Sequence, residues 1–237
     1  GFSFMVQSGR RDSFVSKVRL GKLEDGRLPT TIEARYGDDV DWNRFYTFPD
    51  PQRTVVAAEL VKLGPGYEPI VLAGVQSSTD NEALFAFDAR RKDVAARIPL
   101  WSEKVEMPYH WPDCQASTEV VVSSISPFEY DGSPGQEVAL VGFDRSEYPT
   151  YIAVFDPRAK EFLAKYWHVG QIKYLKAAPD FLGSGRPAII AVGVNNKLDG
   201  FKQRVDGDPK PIAAFDIVPI LMVLDAKSMQ GERLINV

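Results

Sequence analysis

Short apolar runs separated by polar turns recur along the whole chain. Representative runs are 55–61 (VVAAELV), 70–75 (IVLAGV), 138–143 (VALVGF), 151–155 (YIAVF), 188–194 (AIIAVGV) and 220–224 (ILMVL). They alternate only partly and favour Val, Ile, Phe and Tyr, as strands buried on both faces do. No amphipathic pattern of helical period and length competes with them. The intervening turns carry Asp-Gly, Gly-Pro-Gly and Ser-Pro-Gly, whose glycines permit positive φ in tight connections. The pattern predicts short antiparallel strands throughout.

The runs also repeat as a set: a strand, a glycine-bearing turn, a strand ending near Gly, a polar turn, a strand ending in Asp, and a further strand. Copies run from Pro69 to Leu100 and from Glu137 to Val169, and a third starts at Ala188, is interrupted, and resumes at Pro219. Asp88, Asp156 and Asp225 end their strands at intervals of 68 and 69 residues, and Gly74 and Gly142 each stand 14 residues before their Asp. Each copy is preceded by another apolar strand with its glycine-bearing turn, at 54–66, 119–132 and 171–185, and a fainter copy opens the chain at Ser13. Each unit reads as a four-stranded meander, with repeats at about 18–56, 57–119, 120–172 and 173–237 inside a single domain of 237 residues.

The expected fold is all-β and β-propeller-like, with about four degenerate four-stranded blades. Ser13–Leu20 has the phase of a last strand and Glu232–Val237 that of a third. The N-terminal strand is therefore expected to complete the last blade and remove two open sheet edges. Only 40 residues separate Gly26 from Gly66, so the first unit is expected to lack a strand or to be eroded. A piece of a longer propeller is the competing reading.

The segment Ala178–Gly193 (APDFLGSGRPAIIAVG) resembles the FG-GAP or VCBS repeat of integrin-α-like propellers, and Ser126–Gly142 is similar. Asp180, Phe181, Gly183 and Gly185 match the motif, while Ser184 and Ala188 replace acidic positions that bind calcium in the family. In the other copy Asp131 and Gly132 match, and Val138 replaces the second acid. Hard cations need several oxygen ligands with carboxylate charge among them. The resemblance therefore implies the strand–turn shape without a metal at the Asp180 turn. It also implies a binding scaffold at the cell surface, extracellular or periplasmic.

Composition narrows the classes. A hydrophobic share of 44% and a charged share of 25% are those of a globular domain. Asp216 and two prolines interrupt the longest apolar stretch, 211–224, which falls short of a spanning helix. A net charge of −4 offers no general attraction for nucleic acid or anionic lipid, so neither is an expected partner. The lone Cys114 cannot form an internal disulfide and leaves the compartment open.

Candidate chemistry is sparse. Asp39, Asp41 and Asn43 present oxygens at alternate positions, and Asp50 falls at the twelfth position of a calcium-type loop begun at Asp39. Arg44 occupies the place of the sixth-position Gly, and Asp50 that of the bidentate Glu, which favours a solvated acidic turn. Calcium is the one cofactor in view. A calcium-stabilised adhesin would melt at lower temperature in chelator; an unchanged melting temperature removes that reading.

The stretch Leu100–Ser117 carries Trp101, Tyr109, His110, Trp111 and Cys114 on what reads as a long loop. Aromatic loops on a rigid scaffold commonly contact partners. The bland alternative has Trp101 and Trp111 capping an apolar edge. His168 reads as a packed strand residue, and the Asn195–Pro211 insertion, with Asp206 and Asp208, as a polar hairpin or a reach to a partner. No P-loop, dinucleotide fingerprint, GxSxG elbow or zinc spacing is present. The leading expectation is a non-enzymatic module that binds protein or carbohydrate, alone or as one piece of a larger assembly. The alternative is a polysaccharide hydrolase or lyase whose acids converge at the propeller axis.

Overall fold

A computed structural model describes residues 14–23, 26–76, 82–105, 120–144, 150–168, 170–181, 183–195, 218–229 and 231–236. The architecture is all-β: β1 (Val15–Leu20), β2 (Thr31–Tyr36), β3 (Asn43–Thr47), β4 (Thr54–Val61), β5 (Ile70–Gln76), β6 (Glu82–Asp88), β7 (Trp101–Lys104), β8 (Val120–Phe128), β9 (Glu137–Asp144), β10 (Thr150–Asp156), β11 (Glu161–His168), β12 (Gln171–Ala178), β13 (Ala188–Asn195), β14 (Val218–Asp225) and β15 (Gly231–Asn236). Among the described residues all strand pairings are antiparallel.

Three meanders follow one another: β4–β7, β8–β11 and β12–β15. The first two join through the Gln76–Val121 pair into an eight-stranded sheet that curls as a half-barrel. β1–β3 form a separate three-stranded sheet. Three cores lie between layers. One packs β1–β3 on β4–β6, with Ile32, Phe45 and Phe48 against Val55, Val71 and Phe87. A second packs Leu72 and Leu84 against Leu140, Tyr151 and Phe155. The third packs Val141, Ile152 and Val154 against Ile189, Met222 and Leu224. Inner strands of the eight-stranded sheet, β5, β6 and β10, are buried on both faces, which is why they read as continuous apolar runs.

The leading strands β4, β8 and β12 run side by side in one direction. The turn after β4 sits beside the turn after β8, where Gln136 N–H donates to the Lys62 carbonyl at 2.8 Å. Serines of β8 meet β12 in ascending order: Ser123 donates to the Lys173 carbonyl, Leu175 N–H to Ser124 Oγ at 3.2 Å, and Ala177 N–H to Ser126 Oγ at 3.1 Å. These hydroxyls satisfy part of an edge that has no ladder partner on that side. Ser126 is fully buried. Ser126→Ala is expected to cost about 1–3 kcal/mol in urea denaturation, the penalty for stranding a buried N–H.

The first sheet departs from the expected arrangement. Val15 N–H donates to the Ala89 carbonyl, and Val55 N–H to Pro29, so β1 runs against β4 rather than along it. β1 pairs with β2, and the last sheet already has four strands of its own. The N-terminal strand therefore does not complete the last blade. Its inward residues Val15, Val18 and Leu20 are satisfied by the face of β4–β6 instead. The Gly26–Gly66 interval holds β2 and β3 of this sheet and then β4, the leading strand of the first meander.

Candidate functional site

The strand-ending aspartates gather on the rim where the first and third turns of each meander lie. Each accepts from the backbone two residues on: Asp88 Oδ1 from Arg90 N–H at 2.9 Å, Asp156 Oδ1 from Arg158 N–H at 2.8 Å, and Asp225 Oδ1 from Lys227 N–H at 2.9 Å. This is the Asx turn, and it explains why Asp recurs there. Each carboxylate also holds a cation. Asp88 pairs with Arg90 at 2.5 Å and Lys92 at 2.8 Å, Asp156 with Arg158 at 3.2 Å, and Asp225 with Arg186 at 3.0 Å. Burial would raise the Asp88 carboxyl, but side-chain hydrogen bonds from Arg90 and Lys92 prevail and hold it well below the usual carboxylate range.

Arg158 reaches a second carboxylate, Glu137, at 2.6 Å. Glu137 is almost wholly buried and also accepts the Tyr130 N–H at 3.0 Å. Burial raises its pKa despite that bond and the nearby Arg158 charge. Nothing in its sequence context marked Glu137, because the residue that neutralises it lies a full hairpin away.

The turns carrying the family resemblance each close on an aspartate. Gly183 and Gly185 have φ of 66° and 69°, and Asp180 Oδ1 accepts the Gly185 N–H at 2.8 Å. In the other copy Asp131 Oδ1 accepts the Ser133 N–H at 2.8 Å. The aspartates thus brace their own turns. No protein-family model matches the chain, and no curated protein matches it in sequence. The resemblance rests on these turns and their spacing alone.

The proposed aromatic loop divides. Trp101 belongs to β7 rather than to a loop, half-buried on the second core, with its ring centroid 5.9 Å from Phe155 and 5.8 Å from Lys160 Nζ. It bridges the first two meanders. Tyr109, His110, Trp111 and Cys114 lie outside the described residues, as do Asp206, Asp208 and residues 196–211 of the insertion.

The calcium-type loop also divides. Asp39 pairs with Arg91, which lies over the Tyr36 ring. Asn43 Nδ2 donates to the Asp41 carbonyl at 3.3 Å, and Asp50 Oδ1 accepts the Gln52 N–H at 2.9 Å. Among the described residues, no three His, Cys, Asp or Glu side chains form a group able to hold a metal ion, these three aspartates included.

His168 is buried where β11 meets β13. One ring nitrogen bonds the Val194 backbone, while Nε2 is enclosed without a partner among the described residues. Burial lowers its pKa from the ordinary 6.5, against that hydrogen bond. The unfolded chain therefore binds more protons than the folded one just below neutrality. The His168 contribution is complete above the unfolded pKa and lost as pH falls towards the folded one. Urea midpoints at mildly acidic and neutral pH should diverge in the wild type and converge in His168→Gln.

Proposed function

We propose that the chain is a non-enzymatic binding or scaffold module, a degenerate propeller of FG-GAP/VCBS type outside the cytoplasm, presenting its long connections to a protein or carbohydrate. The observation that carries this reading is the parallel, side-by-side course of β4, β8 and β12, each heading its own antiparallel meander. Units related by rotation about an axis have that geometry, whereas a plain stack of alternating hairpins does not. The shared rim supports it further. Asp88, Glu137, Asp156 and Asp225 are engaged by arginine or lysine, which gives them a structural task. On such a scaffold the connections are free to vary for recognition.

The test is a panel of soluble polysaccharides, with both retention and product formation measured. The reading expects retention without new reducing ends or unsaturated uronides. It also expects the retention of neutral polysaccharides to disappear when residues 106–117 are replaced by a Gly-Ser linker. Product formation would select a hydrolase or lyase. Retention of neutral polysaccharides that survives replacement of both long connections would end the loop-presentation reading.

A further inference from the structure

We infer that the outward face of the β1–β3 sheet binds a linear anionic polysaccharide, whose carboxylates or sulfates are taken by Lys17, Arg35 and Arg44. This surface contains neither long connection and does not rest on the preceding reading.

The register sets out the face row by row. Lys17 stands opposite Arg35, and Arg19 opposite Glu33, which in turn stands opposite Arg44. Thr31 and Thr47 share a hydrogen bond at 3.1 Å in the next row. Ile32 and Ala34, the alternate residues of β2, point into the core. The face therefore offers four cations and a single carboxylate on a chain whose net charge is −4. Glu33 is taken by Arg19 at 2.6 Å. Lys17, Arg35 and Arg44 have no carboxylate partner among the described residues.

Solubility alone does not call for this arrangement. Like charges directly opposite one another on neighbouring strands destabilise a sheet, and a merely solvated face mixes its signs. Here Lys17 and Arg35 are opposed, and both arginines are held in place. The Arg19 and Arg35 guanidinium carbons lie 4.2 Å and 4.6 Å from the Trp42 ring centroid. Arg19 is already paired with Glu33, whereas stacking orients the Arg35 guanidinium without neutralising it, so Arg35 meets an anion with little rotamer entropy left to lose.

The class of partner follows from what the face lacks. Protein interfaces centre on desolvated apolar or aromatic anchors and are depleted of charge there. The exposed large apolar residues nearest to it, Leu23, Leu28 and Val40, sit in the turns rather than on the face. Single-stranded nucleic acid calls for open aromatic platforms, and guanidinium groups occupy the Trp42 ring. A flat field of cations remains, spaced about 7 Å along a strand and about 5 Å between strands. That field suits an extended acidic sugar chain with charges at regular intervals.

The experiment measures binding of polygalacturonate, a heparin-type sulfated glycan, neutral dextran and an oligothymidylate at low ionic strength. Two variants are compared: Arg35→Gln/Arg44→Gln and, with the same loss of charge elsewhere, Lys104→Gln/Lys165→Gln. The expected result is salt-sensitive binding of an acidic glycan, not dextran, weakened on the order of ten-fold by the Arg35/Arg44 pair and little by the control. Lys17→Gln, at an exposed position, should give a smaller loss in the same direction and serves if the double variant melts early. The inference is overturned if the wild type retains no acidic glycan, if both double variants weaken binding alike, or if the oligothymidylate is preferred. Acidic-glycan binding that survives the Gly-Ser replacement of residues 106–117 but not Arg35→Gln/Arg44→Gln separates this face from the loops.

Discussion

Arg97→Ala is expected to destabilise the protein by about 3–5 kcal/mol, read as a fall in the urea midpoint at unchanged slope. Arg97 follows the 3-10 turn Val94–Ala96 and turns its side chain into the seam between the first sheet and the first meander, where it is 4% exposed. Its Nη1 donates to the Asp88 carbonyl at 2.6 Å, and its Nη2 to the Arg90 carbonyl at 3.0 Å and the Tyr36 hydroxyl at 3.2 Å. The guanidinium lies 3.8 Å from the Phe45 ring centroid. Burying a guanidinium is costly, and three oxygen acceptors for Nη1 and Nη2 with an aromatic face offset that cost, while Nε is enclosed without a partner among the described residues. Alanine removes the donor from all three acceptors and opens a cavity beside Phe45. Lysine keeps the charge but not the planar fork, so Arg97→Lys should fall between the two. A loss below about 1 kcal/mol for alanine would mean that desolvation cancels the bonds and that the seam is held by apolar contact alone.

Gly64→Ala is expected to cost at least about 3 kcal/mol, and Gly66→Ala, two residues on, only about 1–2 kcal/mol. Both glycines have positive φ, 95° and 83°. They differ in what lies beyond the α-carbon. A Cβ at Gly66 would meet open space, whereas one at Gly64 would strike the Pro134 carbonyl in the neighbouring turn. The approach is reciprocal, since a Cβ at Gly135 would come within 2.7 Å of the Leu63 carbonyl. Two further bonds close the same contact, Gln136 N–H to the Lys62 carbonyl at 2.8 Å and Lys62 N–H to Gln136 Oε1 at 2.9 Å. Alanine at 64 therefore adds separation of the two turns to the left-handed strain that both positions share. Equal losses at the two positions would show that the turns do not depend on this close approach.

The strands were legible from the chain because local chemistry specifies them. Val, Ile and Phe runs between Gly- and Asp-bearing turns have few other ways to satisfy their backbones. The repeating Asp was legible for the same reason: an Asx turn closes within two or three residues, so Asp88, Asp156 and Asp225 carry their signal locally. Less was legible of the candidate site. Trp101 was read as a loop residue because the polar stretch from Ala89 to Pro99 delays the fourth strand of its meander. That strand begins at Trp101, which supplies the apolar mass over Phe155.

What the amino-acid order determined by itself was the all-β class and the three Asp-punctuated meanders. Each of these follows from contacts between near neighbours in the chain. Tertiary structure alone decided that β1 runs against β4 and pairs inside its own sheet, that Arg97 and Glu137 are buried at seams, and that four cations share one face beside Trp42. Those outcomes depend on which sheet face meets which, and on direction. Strand sequences are nearly indifferent to direction, because alternation reads the same from either end.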